Sequence, residues 1–375
     1  MTLPAGAEAE RLRGLLRGLG EALERLLMGG MTTATKATHE ELEVAFREVS
    51  RRGLSRLGST LRILGQEVGR YLAHDAAFSG SRLSLFLGRT WVLARGLAAA
   101  LERGDEASFA RLAAFDHRPT PVAELRAVTL GVAKKVITGL VCMFDFRMRR
   151  LGDDGTLGEP FTFTEMFPLA RDRALPPESL LELQRPQKYR PRVLLGDEVI
   201  TFRHALLTST GAGDRLALPR EAEDARVEVG ERFAGWDRLP AWDLAAAGRR
   251  VRVHEIDPLE LPVELQEEVV LDDWSIGAPE RDEARQRLVY PVRAHGLRLR
   301  AVVSSGDEGA TLRAALDELR RRARPGGRLF GLVHYEDCAF ELQPLSRLES
   351  GVRTHLMVSA ASIDRKALLK SIRLR

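Results

Sequence analysis

Five consecutive residues, His334-Tyr335-Glu336-Asp337-Cys338, put a base, two acids and a thiol side by side. A Cys–His nucleophilic pair is ordinarily assembled from positions far apart in the chain, because base and nucleophile must face each other across a fold. The apolar runs on either side, RLFGLV and AFELQPL, instead make these residues the reversal of a hairpin. Metal binding needs three or four His, Cys or carboxylate ligands brought together. The eight histidines are scattered singly, at positions 39, 74, 117, 204, 254, 295, 334 and 355, and His39 is followed by Glu40, Glu41, Leu42 and Glu43, so HExxH does not occur. The carboxylate pairs Asp153-Asp154 and Asp272-Asp273 are adjacent in sequence, so their side chains diverge in an extended chain and suit turns. Neither GxxxxGK[ST] nor GxGxxG is present, and Thr210-Gly211-Ala212-Gly213-Asp214 has no following helix to offer its N-terminus to a phosphate. No catalytic residue, cofactor ligand or metal ligand is assigned, and the expectation is a non-enzymatic protein without a cofactor.

Charge directs attention to the end of the chain. Lys and Arg number 57 against 53 Asp and Glu, a net charge of +4 with a sequence pI of about 9.3. From Gln343 to Arg375 seven basic residues face only Glu349 and Asp364, so the body is close to neutral and the tail is basic. Candidate interaction residues are therefore Arg320, Arg321, Arg322 and Arg324, together with Arg365, Lys366, Lys370, Arg373 and Arg375. A helix C-terminus also attracts cations for purely structural reasons, which applies to the first group. Cys142 and Cys338 stand far apart behind an N-terminus that lacks a basic region followed by an apolar stretch. Reduced thiols and a cytoplasmic location are expected. The most apolar stretch, Val128 to Phe146, is broken by Lys134 and Lys135, so no membrane span is expected.

The elements that must carry these residues follow from hydrophobic spacing. With 44% hydrophobic and 29% charged residues the chain is too apolar for disorder, and its length allows two or three folded units. Leucines at three- and four-residue steps predict helices over 7–28, 39–74 with a slip at Gly53, and 81–101. Beyond the HRPTP linker the spacing changes to two. Strands are expected over 136–148 and, after the Gly152–Gly155 turn, over 161–167, with others at 192–202, 224–229, 249–256, 288–294 and 297–304. A helix from about Glu308 to Arg322 and strands at 328–335 and 338–345 complete a strand-helix-hairpin unit. The fold class is α+β: an all-α bundle over 1–115, a β-rich region over 116–295, a small α/β unit over 296–350 and a basic tail over 351–375.

Two stretches carry a family resemblance. The helical run EELEVAFREVSRRGLSRLGSTLRILGQEVGRYL with SRLSLFLGRTWVLARGLAAAL, and the C-terminal LFGLVHYEDCAFELQPLSRL with its Phe330-Gly331 and Pro344-Leu345-Ser346, resemble bacterial SWIM zinc-finger proteins encoded beside MoxR-type ATPases and von Willebrand factor A proteins. The defining C-x-C and C-x-H elements are missing here, so the resemblance implies a relative without zinc. It further implies an adaptor role, as an accessory component partnered by an AAA+ ATPase and a von Willebrand factor A protein. The alternative expectation is a nucleic-acid-binding accessory protein that uses the basic C-terminal segments.

Overall fold

The leucine steps of the first hundred residues form α1 (Gly6–Gly29), α2 (Lys36–Arg51), α3 (Ser55–Leu72) and α4 (Gly80–Arg103), followed by a short α5 (Glu106–Ala113). The computed structural model describes residues 3–75, 78–114, 119–137, 141–169, 175–210, 213–219, 221, 223–253, 266–283, 285, 287–304, 309–322, 326–336, 339–364 and 368. The helix expected over 39–74 is two helices, because Gly53 adopts φ +70°, a left-handed conformation that ends α2 at small steric cost. Inward leucines such as Leu23, Leu57, Leu64 and Leu97 are fully buried, each contributing about 1.5–3 kcal/mol of transfer free energy. Helix α5, which the spacing did not predict, starts where Asp105 accepts the Ser108 N–H at 3.0 Å. No described helix is long and apolar enough to cross a membrane.

The chain divides into two compact units, Met1–His117 and Arg118–Arg375, and the fold class is α+β. In the second unit the first sheet holds β1 (Thr120–Ile137), β2 (Val141–Leu151), β3 (Leu157–Pro168), β4 (Glu198–Thr210), β5 (Gly213–Ala217) and β6 (Arg226–Arg232). The single strand expected over 136–148 is the end of β1 and the start of β2. Over 192–202, the strand begins only at Glu198; Pro191 opens a short 3-10 turn to Leu195 instead, since proline has no N–H for a ladder. The strand expected over 249–256 is replaced within the described residues by helix α6 (Leu244–Val253). There the Asp243 carboxylate accepts the Ala246 N–H at 2.9 Å, and the alanines that follow favour helix over the alternating valines.

The first sheet closes on itself. The 18-residue β1 pairs with β4 through its first half and with β2 through its second, and the strand order β1-β2-β3-β5-β4 returns to β1, with β3 and β5 parallel. The second sheet contains β7 (Glu267–Leu271), β8 (Trp274–Ile276), β9 (Glu280–Asp282), β10 (Arg287–Ala294), β11 (Leu297–Ser304), β12 (Arg328–Glu336), β13 (Ala339–Glu349) and β14 (Val352–His355), with α7 (Ala310–Arg321) before β12. Its path is β7-β12-β13-β11-β10-β8, and only Asp272 and Asp273 separate β7 from β8 in the chain. Taken as one bent strand, β7–β8 does what β1 does in the first barrel; β10, β11, β12 and β13 match β2, β3, β4 and β5. The parallel pair recurs as β11 and β13. Both barrels thus have the strand order of an OB-fold, a five-stranded Greek-key barrel. Residue 295, expected to separate two regions, lies in the turn between β10 and β11.

The barrels share an apolar junction in which Val128, Leu130, Phe330, Leu332 and Leu345 are buried. Gly131 allows it: a Cβ there would lie 2.6 Å from Leu345 Cβ and 2.9 Å from Phe330 Cδ1. Ser346 Oγ donates to the Leu130 carbonyl, and Arg149 meets Glu268 at 3.2 Å. Burial pushes the Glu268 carboxyl above its ordinary value in spite of Arg149 and Arg147. On β14 the enclosed Arg353 guanidinium donates to the carbonyls of Leu195 and Gly196 and lies 5.2 Å from the Trp236 ring. Burial lowers its pKa to about 10, with Asp197 and Glu198 opposing the shift. After β14 the described residues pack on the first barrel. Val358 and Leu368 are buried in the first barrel's core, and the Asp364 N–H donates to Ser179 Oγ at 2.8 Å.

Candidate functional site

Period-two alternation on β2 sends Cys142, Phe144, Phe146 and Met148 into the first barrel, all fully buried, and leaves Met143, Asp145 and Arg147 on its outer face. Register extends that face across four strands. Gly131, Arg147, Thr162 and Arg215 stand in one row; Ala133, Asp145 and Thr164 form the next; Lys135, Met143 and Met166 form the third. This face forms the main wall of an open cleft of about 970 Å³, whose other side includes Leu332, His334 and Gln343 of the second barrel.

The cations in this cleft fall into two groups. Lys134 is buried and tied to Glu178 at 2.6 Å. Arg185 donates through Nε to Glu165 at 2.7 Å and lies 4.1 Å from the Phe167 ring centroid, while the Tyr189 hydroxyl donates to the same carboxylate. Burial first, and then the Glu165 charge, drives the Tyr189 hydroxyl pKa upward, so it stays a donor. These groups brace the wall. Lys135, Arg147 and Arg215, by contrast, have no ion-pair partner among the described residues, and Arg147 Nε is buried without an acceptor. Of the acids, Asp145 accepts from Thr164 at 2.6 Å and Asp214 pairs with Arg150. The face therefore offers three cations without an ion pair, of which Arg147 also acts on Glu268 through its charge, beside two methionine side chains, a surface for anionic groups joined to apolar ones.

Of the residues singled out by sequence, His334 lines this cleft, and the described interaction candidates Arg320, Arg321 and Arg322 do not. Arg320, Arg321 and Arg322 end α7, where Arg322 pairs with Glu318 at 2.5 Å and Arg321 Nε donates to the Asp317 carbonyl at 3.1 Å. Arg324, Arg365, Lys366, Lys370, Arg373 and Arg375 lie outside the described residues. Of the five-residue reactive cluster, His334 is 3.7 Å from Glu341 and the strands pair up to Glu336 and Ala339, as a hairpin requires; Asp337 and Cys338 lie outside the described residues. Among the described residues no group of three or more His, Cys, Asp or Glu is placed to hold a metal ion. Sequence reading passed over Lys135, Arg147 and Arg215. The available signal was the alternation itself, since Arg147 sits between the inward Phe146 and Met148, and Lys135 follows the inward Lys134.

No protein-family model and no curated protein matches the chain. A solved structure, that of tetrameric p202 HIN2, aligns with 65% of this chain and 97% of its own at 10% identity and a TM-score of 0.27.

Proposed function

We propose that the protein binds single-stranded nucleic acid on the outer face of its first barrel. The observation behind this reading is the convergence of Lys135, Arg147 and Arg215, none of them in an ion pair among the described residues, on the β2–β3 side of an OB-type barrel. That side and the adjoining loops are where such barrels receive oligonucleotides and oligosaccharides, and three cations without an ion pair, against Asp145 as the carboxylate of the face that has no cation partner, favour the polyanion of the two. Binding is dominated by phosphate contacts, because the face presents methionines and threonines where sequence-tolerant stacking would use aromatic rings. Replacing Lys135, Arg147 and Arg215 together by Ser is expected to abolish most retention of a labelled oligothymidylate in an anisotropy titration. It should also flatten the logarithmic salt dependence by about 2, at about 0.7 per phosphate neutralised. Wild-type protein that retains no oligonucleotide at low salt would refute the reading.

A second reading concerns Met1–His117, a compact helical unit to which nucleic-acid binding assigns no task. We propose it as the docking part of an adaptor for a MoxR-type ATPase system, on the strength of the SWIM-like resemblance in α2–α4. Pull-down of the tagged full chain from its host, read by mass spectrometry, is expected to recover an AAA+ ATPase or a von Willebrand factor A protein; recovery of neither rejects the adaptor.

A further inference from the structure

The second barrel carries a charge arrangement that its own fold does not explain. On the β10–β11 hairpin Arg293 and Arg298 are directly opposite each other, both exposed, and neither has an ion-pair partner among the described residues. Like charges facing across a strand pair destabilise it unless an anion lies between them. The acids nearest in register, Asp272 and Asp273, precede Trp274 and Ser275, the partners of Ala294 and Arg293; Asp272 lies 3.3 Å from His295, and neither acid is in an ion pair with Arg293 or Arg298. The acids farther along this face are engaged elsewhere. Asp282 pairs with Arg287 at 2.9 Å, and Glu341 is occupied by Arg287 at 3.3 Å, Arg300 at 3.9 Å and His334 at 3.7 Å.

These arginines connect to the first barrel's cleft. His334 lines that cleft and pairs in register with Glu341 of β13, which in turn pairs with Arg300 of β11; Arg298 is two residues along the same face, and Arg293 lies one strand further on. At about 4.8 Å per strand, β12 to β10 spans about 14 Å. The outer faces of the two barrels therefore form one surface, with cations outside any described ion pair at both ends and a neutralised carboxylate between them.

Resting on the nucleic-acid reading above, we propose that one single strand runs across both barrels, with Lys135, Arg147 and Arg215 holding its phosphates at one end and Arg293 and Arg298 at the other. Five phosphates neutralised give a salt slope of about −3.5, against about −2 for the first barrel's three alone.

The test uses the full chain with labelled oligothymidylates of about 4 and about 30 nucleotides; the short one, at the low end of the roughly 4–16 nucleotides per barrel, has only enough phosphates for the first barrel's three cations, and the long one can follow both barrels. Arg293→Ser with Arg298→Ser is expected to weaken binding of the long strand and bring its slope to about −2, while the short strand, which also reports folding, binds as to wild type. An unchanged affinity and slope for the long strand would overturn the two-barrel path and leave the first-barrel reading standing. Equal loss for both lengths would also overturn it, since the arginines would then not extend the site. If wild type retains neither strand, the path falls together with the reading on which it rests.

Discussion

Phe330→Ala is expected to lower the unfolding free energy of the barrel unit by about 3–5 kcal/mol, the range for removing a buried aromatic ring. Phe330 is 0% exposed and sits where the barrels meet, among Val128, Leu130 and Leu345. Its ring fits only because position 131 has no Cβ, so strand β1 already approaches as closely as its backbone allows and has little room to move into the cavity. A domain stable by about 5–15 kcal/mol loses a large fraction of its margin by such a change. Urea titration followed by tryptophan fluorescence measures it, because Trp236 lies in the same junction. Tyr335→Ala, at a residue 65% exposed, is the control and should cost much less. A loss below about 1 kcal/mol for Phe330→Ala would mean the junction is not the packed core described. The same variant should weaken long-strand binding more than short, since the path across the barrels depends on their fixed relation.

What the sequence made legible was local. Leucine steps place α1 and α4, and amphipathic spacing followed by Pro325-Gly326-Gly327 places α7. The β10–β11 and β12–β13 hairpins read out because their partners are neighbours in the chain. Barrel closure did not read out. It depends on β1 reaching β4 and on the parallel pairs β3–β5 and β11–β13, and pairings between distant segments leave no periodic trace. Helices α5 and α6 were missed for another reason. Each is short, and each starts at an Asp whose capping role is visible only once a helix follows. The candidate site suffered from looking for density of charge. Arg320, Arg321 and Arg322 are conspicuous as a run, yet two of them are engaged with α7 itself. Lys135, Arg147 and Arg215 are separated in sequence and become one surface only through register.

The helical unit offers the clearest dependence on pH. Glu67 of α3 is 0% exposed; it accepts from Arg70 at 2.5 Å, from Arg82 at 2.8 Å and from the Ser79 N–H at 3.0 Å. Burial by itself would raise its pKa, but the hydrogen bonds from Arg82, Ser79 and Arg70 outweigh burial and hold the carboxyl below 4.5. The unfolded chain therefore binds a proton at higher pH than the folded one does, so this stabilisation is complete above about 4.5 and is lost as pH falls through the lower, folded value. Glu67→Gln removes the charge while keeping the shape and takes from Arg70 and Arg82, both half-buried, the carboxylate they share. About 3 kcal/mol of stability should be lost at neutral pH, the low end for breaking a buried pair. Acid titration of both proteins by far-ultraviolet circular dichroism separates the two contributions. Wild type should lose stability below pH 4.5 more steeply than the variant, and the two curves should converge in acid. Parallel curves at all pH values would show that the carboxylate contributes packing alone.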